Sequence, residues 1–201
     1  MKDEFKDIKH MRSKIIVTAD NSKTLLIPEL NETYHSTKGA LAEALHIFIK
    51  EGIMHSAKKK LTIFEMGFGT GLNAILSLDH AIQNNISVEY DTIEKYPLSY
   101  ETAKKLDYLN RASLNQLENE YQLMFESPEF PVELNQLFLF NFRTGDLMTT
   151  SLPTDKYDII FYDAFGPKVQ ADLWSQAVME KCYAILKQNG FLVTYCAQGQ
   201  F

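Results

Sequence analysis

From Leu61 onward the chain alternates between short apolar strands and amphipathic helices, and this alternation most constrains its fold. The strand LTIFEM precedes the helical pattern GLNAILSLDHAIQ, and the strand SVEYDTIE precedes PLSYETAKKLDYL. LFLFNF, KYDIIFYDAF and FLVTYCA predict three more strands, with ADLWSQAVMEKCYAILK as the helix between the last two. Strands that alternate with helices pair in parallel through right-handed crossovers. We therefore predict an α/β fold with a doubly wound sheet, whose ligands bind at the carboxyl ends of the strands.

The segment before Leu61 has a different pattern. KIIVTADNSKTLLIPE predicts a β-hairpin around a turn at Asp20, Asn21 and Ser22. STKGALAEALHIFIKEGIM has apolar residues at helical spacing and predicts a helix. We expect residues 1–36 to form an N-terminal extension with the hairpin and residues 37–201 to form one domain. Residues 110–135 are expected to be helix and loop.

Composition limits the class of protein. With 201 residues, 45% hydrophobic and 23% charged, the chain is typical of one globular domain. Its apolar runs are shorter than the roughly 20 residues of a membrane span, and its charged start is not a signal peptide. Cys182 and Cys196 have no metal-binding spacing, and the net charge of -6 gives no overall attraction to nucleic acid. These features predict a cytoplasmic protein without metal or membrane partner.

The stretch IFEMGFGTGLNAI lies where the first sheet strand turns into its helix. Gly67, Gly69 and Gly71 are spaced two apart, whereas a dinucleotide site has the spacing G-x-G-x-x-G. A pyrophosphate favours helix N–H groups without a nearby anion, and Glu65 stands just before the loop. An acid here suits a ligand with a positive centre, such as S-adenosylmethionine, better than it suits NAD.

Three more acids follow predicted strands. Glu94 ends the second strand, where a carboxylate can accept both hydroxyls of a ribose. Asp146 is placed to accept a hydrogen bond from an adenine amine, although it could equally cap a helix. Asp163, in YDAFGP, lies at the end of the fourth strand and is expected to point into the same crevice, the alternative being a loop cap.

Four segments, FEMGFGTGLNA, TIEKYPLS, YDAFGPKVQADLW and YHSTKGALAEALHIFI, resemble the methyltransferase domain of tRNA 5-methylaminomethyl-2-thiouridine synthesis, the MnmC/MnmD type. The resemblance runs from about residue 32 to the end of the chain. It implies a Rossmann-like class I methyltransferase sheet with S-adenosyl-L-methionine as cofactor. It also implies methyl transfer to the exocyclic amine of 5-aminomethyl-2-thiouridine at the wobble position of tRNA, and a possible separate oxidase partner.

The same resemblance assigns roles to individual residues. Asp163 is implied to lie near the transferred methyl group, where we expect it to orient the amine. A second, weaker hypothesis is that Asp163 also accepts the proton of the amine. Phe165 is a candidate to stack on the uracil. Tyr162 is expected to pack in the core, and His35 alone is more typical of a structural histidine. The residues implied to bind the cofactor are Tyr34, Ser36, Glu65, Gly67, Gly69, Thr70, Gly71, Asn73, Glu94, Lys95, Asp146 and Asp163.

The chain departs from the family pattern in one respect. A class I methyltransferase sheet has seven strands, whereas we predict only five sheet strands before the chain ends at CAQGQF. We therefore expect a C-terminally incomplete domain that lacks the last two strands, in which cofactor recognition survives better than tRNA recognition.

Other functions stay open on the sequence alone. An aminopropyltransferase resembling spermidine synthase shares the glycine loop, the strand-end acids and a Gly-Pro turn. A small-molecule methyltransferase and a non-catalytic cofactor-binding module are the remaining alternatives.

Overall fold

The computed structural model describes residues 12–196, which contain two β-sheets with helices around them. The smaller sheet is antiparallel, with strands β1, β2 and β3 at Lys14–Val17, Lys23–Ile27 and Glu32–Thr33. β1 and β2 form the predicted hairpin, and Asn21 adopts the left-handed conformation (φ 64°) that asparagine tolerates in turns. Residues 1–11 of the predicted extension lie outside the described residues.

The larger sheet has six strands in the order β6-β7-β5-β4-β8-β9. All neighbours in it are parallel except the antiparallel pair β6 and β7. The chain builds β4, β5 and β7 outward on one side and then returns to place β8 and β9 on the other side of β4. This reversal confirms the doubly wound fold and puts the switch point between β4 and β8. The strands are Lys60–Met66 (β4), Ser87–Glu94 (β5), Val132–Asn135 (β6), Phe138–Thr144 (β7), Tyr157–Tyr162 (β8) and Leu186–Val193 (β9).

Helices and helical turns connect the strands, and none within residues 12–196 combines the length and apolar character needed to cross a membrane. The helices are Ala40–Ala44 (α1), Leu72–Asn84 (α2), Tyr100–Lys104 (α3), Tyr108–Arg111 (α4), Glu118–Glu126 (α5) and Gln176–Ile185 (α6). α1 continues as a π-helix over Leu45–Lys50, and single 3₁₀ turns lie at Ile53–His55, Asn115–Leu117 and Ala171–Trp174.

The larger sheet has an apolar cluster on each face. Successive strand residues point to opposite faces, so Ile63 and Phe64 of β4 belong to different clusters. The first cluster includes buried residues of α1 to α5, and the second includes Val178, Cys182 and Ile185 of α6. Both faces are thus covered by helices, as the strand–helix alternation predicts.

Three local predictions differ from the structure. The helix predicted over residues 97–109 is split into α3 and α4, because Asp107 between them has a left-handed backbone (φ 62°). The segment 110–135 contains β6 as well as helix, so the sheet has one strand more than the five predicted. The helix predicted over residues 171–187 begins with a 3₁₀ turn, and α6 ends at Ile185 because Leu186 is already extended and pairs with Tyr157.

Candidate functional site

The loop between β4 and α2 has a backbone conformation that favours glycine. Gly67, Gly69 and Gly71 have φ values of 91°, 50° and 71°, which residues with a Cβ adopt only with strain. A Cβ on Gly67 would lie 2.7 Å from the backbone oxygen of Asp163. The glycines therefore let the loop after β4 contact the loop after β8 directly.

Glu94 is the last residue of β5 and accepts hydrogen bonds from two backbone segments. The Gly69 N–H donates to its Oε2 at 3.0 Å, and the Tyr96 N–H donates to its Oε1 at 2.8 Å. A carboxylate oxygen accepts more than one hydrogen bond. Glu94 thus retains capacity for the two hydroxyls of a ribose, the role predicted for it.

Asp146 lies beyond the end of β7 and pairs with Lys95, whose Nζ is 2.9 Å from Oδ2. Its Oδ1 accepts a hydrogen bond from the Met148 N–H at 2.8 Å, so the side chain caps a turn and not a helix. Burial acts to raise the pKa of Asp146, but the hydrogen bonds from Lys95 and Met148 hold it below its ordinary value. Asp146 is therefore a charged acceptor at neutral pH.

Asp163 follows β8 and faces the cleft. Its Oδ2 accepts a hydrogen bond from Asn73 Nδ2 at 2.8 Å. Burial raises the pKa of Asp163 to about 7, and the negative charges of Glu43 and Glu94 add to the increase, while the Asn73 hydrogen bond opposes it. A carboxyl group with this pKa is present in both protonation states near neutral pH, which suits proton transfer.

The segment after β3 covers the glycine loop from the other side. The Tyr34 ring meets the edge of the Phe165 ring with 5.3 Å between centroids, and a Cβ on Gly69 would lie 3.2 Å from Tyr34. The next residue, His35, is joined through Nε2 to Thr70 Oγ1 at 2.7 Å. These contacts hold the small sheet against the glycine loop, which is part of the predicted cofactor site.

These elements enclose a cleft of about 800 Å³ at the carboxyl ends of β4, β5, β7 and β8. This volume lies in the range of small-molecule sites. The predicted site residues that line it are Tyr34, Gly67, Gly69, Thr70, Glu94, Lys95, Asp146, Asp163 and Phe165.

Four predicted site residues lie outside this lining. Gly71 precedes α2 and packs on Phe68, and the Ser36 N–H donates to Glu43 Oε1 at 2.9 Å. Glu65 and Asn73 are buried behind the glycine loop with 0% and 2% of their surface exposed. A direct contact of these four with the cofactor stays a prediction.

The two aromatic residues at the end of β8 occupy different environments. Tyr162 is buried in the cluster under α6, and its hydroxyl donates to the backbone oxygen of Leu173. This agrees with the core role expected for it. Phe165 is partly exposed in the cleft, and its backbone is held by Gln170 and Trp174.

Several residues of the cleft wall carry no motif that sequence reasoning could detect. Tyr195 lies just beyond β9, and its hydroxyl donates to the backbone oxygen of Ala164 at 2.8 Å. Lys168 and Gln170 lie on the loop after the Gly-Pro turn. Tyr195 falls inside the predicted strand FLVTYCA, whereas β9 ends at Val193, so the position of Tyr195 at the cleft was not predicted.

The cleft has the chemical groups that S-adenosyl-L-methionine requires. Glu94 can receive the ribose hydroxyls, Asp146 the adenine amine, and the glycine backbone allows close approach of the ligand. The aromatic pair Tyr34 and Phe165 lies beside Asp163, where the methionine end is expected. The residues present thus fit this cofactor.

Comparison with known proteins agrees with this assignment. A family model described as S-adenosyl-L-methionine-dependent methyltransferase matches residues 100–201. The crystal structure of MNMC2 from Aquifex aeolicus has the same fold, with a TM-score of 0.71 at 24% identity over 94% of this chain and 62% of that chain.

The curated relatives are longer than this chain. The tRNA 5-methylaminomethyl-2-thiouridine biosynthesis bifunctional protein MnmC of Leptospira interrogans is 25% identical over 193 residues, which cover 90% of this chain and 30% of that protein. An uncharacterized protein of Methanocaldococcus jannaschii is 26% identical over 184 residues, 90% of this chain and 49% of that protein. The chain spans less than a third of the MnmC protein and about half of the second relative.

Proposed function

The chain belongs to the S-adenosyl-L-methionine-dependent methyltransferase family, and we propose that it methylates the exocyclic amine of 5-aminomethyl-2-thiouridine at the wobble position of tRNA. S-adenosyl-L-methionine is its cofactor. The match to MnmC of Leptospira interrogans, a protein named for 5-methylaminomethyl-2-thiouridine synthesis, supports this acceptor. Family membership favours methyl transfer over the aminopropyl transfer that the sequence left open.

The position of Asp163 in the cleft is the observation that supports this proposal most directly. This residue faces the cleft between the glycine loop and Phe165, and its side chain is held by Asn73. An acceptor amine must present a lone pair, whereas a free alkylamine is mostly protonated at neutral pH. A carboxylate at this position accepts an N–H of the amine and directs the lone pair toward the methyl donor.

When bound, S-adenosyl-L-methionine supplies an electrophilic methyl group on a positively charged sulfur. The protein contributes orientation, which is worth about 7–11 kcal/mol in well-aligned reactions. A full negative charge beside the amine would raise the amine's pKa and so oppose its deprotonation. Because the pKa of Asp163 is raised to about 7, Asp163 carries only part of a negative charge near neutral pH and raises the amine's pKa less. Asp163 can also hold the proton that the amine releases.

Phe165 provides the surface for the base. RNA bases are recognised unstacked from their neighbours and against aromatic rings. Phe165 is partly exposed in the cleft and is supported edge-on by Tyr34. We place the uracil ring against Phe165, with its aminomethyl arm toward Asp163.

We expect the reaction to take place in the cytoplasm. The free aminomethyl group of the acceptor must exist before methylation, and we expect a separate oxidase partner to act in the same modification sequence.

The test uses methyl-labelled S-adenosyl-L-methionine and tRNA that carries 5-aminomethyl-2-thiouridine, followed by digestion and nucleoside analysis. We expect label in 5-methylaminomethyl-2-thiouridine and none with tRNA that lacks the aminomethyl group. Calorimetry on the same sample measures cofactor binding. Cofactor binding without label in this nucleoside contradicts the proposed acceptor and leaves the family assignment intact.

Replacing Asp163 by Asn tests the role of the carboxylate. We expect turnover to fall roughly 100-fold, in the range of general acid–base effects, while the Kd for S-adenosyl-L-methionine changes less than about threefold. Asp155→Asn is the matched control, because Asp155 is exposed, lies away from the cleft and has a left-handed backbone (φ 49°) that Asn tolerates. Normal turnover by Asp163→Asn removes Asp163 from the mechanism.

A further inference from the structure

Three buried polar atoms without hydrogen-bond partners lie together behind the glycine loop. They are Oε1 of Glu65, Oδ1 of Asn73 and the hydroxyl of Tyr90. The side chains of Asn73 and Tyr90 both adjoin Glu65. Buried polar atoms are nearly always hydrogen-bonded, so three unpartnered atoms around one carboxyl group require an explanation.

Counting donors separates the two protonation states of Glu65. Oε2 already accepts a hydrogen bond from Thr92 Oγ1 at 3.0 Å, and Asn73 Nδ2 is engaged with Asp163. If Glu65 is ionised, neither its Oε1 nor Oδ1 of Asn73 has a donor. If Glu65 is protonated at Oε1, that oxygen donates to Asn73 Oδ1. One proton then satisfies both of these atoms, whereas the Tyr90 hydroxyl lies beside Glu65 and Ser77 in either state.

We propose that Glu65 is a protonated positioning residue in a buried chain, Glu65–Asn73–Asp163, that fixes the Asn73 amide with its N–H toward Asp163. An amide held only by Asp163 can turn its oxygen toward the carboxylate and lose the hydrogen bond. Donation from Glu65 to Oδ1 excludes that orientation. Glu65 thus acts on the reaction through Asn73 and not through contact with the cofactor, an inference that rests on the role proposed for Asp163.

The electrostatic surroundings agree with this assignment. Burial raises the pKa of Glu65 well above its ordinary value, and the negative charge of Asp163 adds to the increase, while the neighbouring polar side chains of Thr92, Asn73 and Tyr90 oppose it. The titratable groups around Asp163 itself are Glu43 from α1, Glu94 from β5, Tyr108 from α4 and Tyr195 after β9, in addition to Glu65 and Tyr90. Two ionised acids side by side are unfavourable, so a neutral Glu65 allows Asp163 to ionise when the substrate requires it.

The rival interpretation keeps Glu65 ionised as an anion that attracts the cofactor's positive sulfur. That role requires a charged carboxylate near the cleft. Glu65 is instead fully buried and absent from the residues that line the cleft. A second rival places a buried water between the three atoms, which satisfies them without a proton on Glu65.

Infrared spectroscopy reads the protonation state of Glu65 without substrate, so its result does not depend on the proposed reaction. The whole chain is labelled with ¹³C in its glutamate carboxyl groups, and spectra at pH 8 are compared between wild type and Glu65→Gln. We expect a protonated-carboxyl band in the wild type that is missing from the variant. The proposal is overturned if the wild type shows no such band, and this result favours an ionised Glu65 or a bridging water. It is also overturned if the band persists in Glu65→Gln, because the band then belongs to another glutamate.

Kinetics then separates positioning from simple structural support. Glu65→Ala removes the donor to Asn73, and we expect kcat to fall roughly 10-fold, the cost of one buried hydrogen bond, with a shift in the inflection of the pH–rate profile. Glu65→Gln keeps an N–H donor at this position and is expected to rescue most of that loss. If Glu65→Gln instead weakens cofactor binding 10-fold or more in calorimetry, the negative charge is required and the proposal is wrong.

Discussion

At the scale of single residues, His35 links the small sheet to the cofactor loop through two hydrogen bonds. Its backbone N–H donates to Thr24 Oγ1 at 2.9 Å, and its Nε2 is 2.7 Å from Thr70 Oγ1. Only 8% of the residue is exposed, and burial lowers the pKa of His35 to about 4. His35 is therefore a neutral histidine at pH 7 that holds the small sheet to the glycine loop and also lines the cleft.

This pKa predicts a stability loss in acid. Folding lowers the pKa of His35 from 6.5 to about 4, so the unfolded chain binds a proton that the native protein does not. The stabilisation is complete above pH 6.5, decreases as the pH falls and is lost below about pH 4. The difference corresponds to roughly 3 kcal/mol, and urea unfolding at pH 7 and pH 4 measures it.

His35→Gln provides the comparison, since Gln retains a hydrogen-bonding group but does not titrate. We expect the free energy of unfolding of this variant to fall less between pH 7 and pH 4 than that of the wild type. Asp163, whose raised pKa makes stability change with pH in the opposite sense, is present in both proteins and cancels in the difference. Equal losses in both proteins contradict the assignment to His35.

At the scale of elements, the turn of the hairpin acts as the N-terminal cap of α1. Asp20 Oδ2 accepts from the Ala42 N–H at 3.0 Å, and Ser22 Oγ accepts from the Ala40 N–H at 3.0 Å. The first N–H groups of a helix have no partner within the helix, and no side chain of α1's own N-cap supplies one. The hairpin and the helix therefore stabilise each other, and the Tyr34–His35 segment between them is held over the cleft.

Asp20 allows this cap to be separated from the turn. Its Oδ1 accepts from Thr18 and Ser22 within the turn, and its Oδ2 accepts from α1. Asp20→Asn keeps one acceptor oxygen for the turn and loses its own hydrogen bond to α1, while the bond from Ala40 to Ser22 remains, so we expect a loss of about 1 kcal/mol in the free energy of unfolding. Asp20→Ala loses the hydrogen bonds of the turn as well as that to α1, and we expect it to lower the free energy of unfolding by roughly twice as much. Urea unfolding of the wild type and the two variants measures both losses. Equal losses would mean that the two oxygens of Asp20 do not serve the turn and the helix separately.

The elements that the sequence predicted well are those with long, regular patterns. β4, α2 and β5 follow from apolar runs and a glycine loop, and the acids at their ends, such as Glu94, follow from strand ends that share one sheet edge. The split after α3 and the strand β6 were not predictable in this way. One depends on the left-handed Asp107, and the other is a four-residue strand formed by pairing with β7.

The same limit applies within the site. A pattern places Glu65 at a strand end but does not show on which side of the glycine loop its side chain is buried. The structure separates Glu65, behind the loop, from Glu94 and Asp163, which line the cleft. Distances between strand ends follow from topology, whereas side-chain burial depends on the packing of all neighbouring elements.

At the scale of the whole molecule, the charge distribution must allow an acidic protein to bind tRNA. The net charge is -6, so the proposed substrate needs local positive groups at the cleft. Lys95 is paired with Asp146. Lys168 is exposed on the loop that lines the cleft, and no ion pair involving it occurs within residues 12–196. Lys168 is therefore the group we expect to contact a phosphate.

Lys168→Ala tests this contact through salt dependence. A lysine that neutralises one nucleic-acid phosphate contributes a slope of roughly -0.7 to -0.9 to a plot of log K against log salt. We expect the variant to bind tRNA more weakly at low salt and to lose about 1 from the slope, with an unchanged Kd for S-adenosyl-L-methionine. Lys60→Ala is the matched control, because Lys60 is an exposed lysine at the amino end of β4, the sheet edge opposite the cleft. A slope that changes equally in both variants means that tRNA is attracted by total charge and not by the cleft loop, and the location proposed for the substrate would then be wrong.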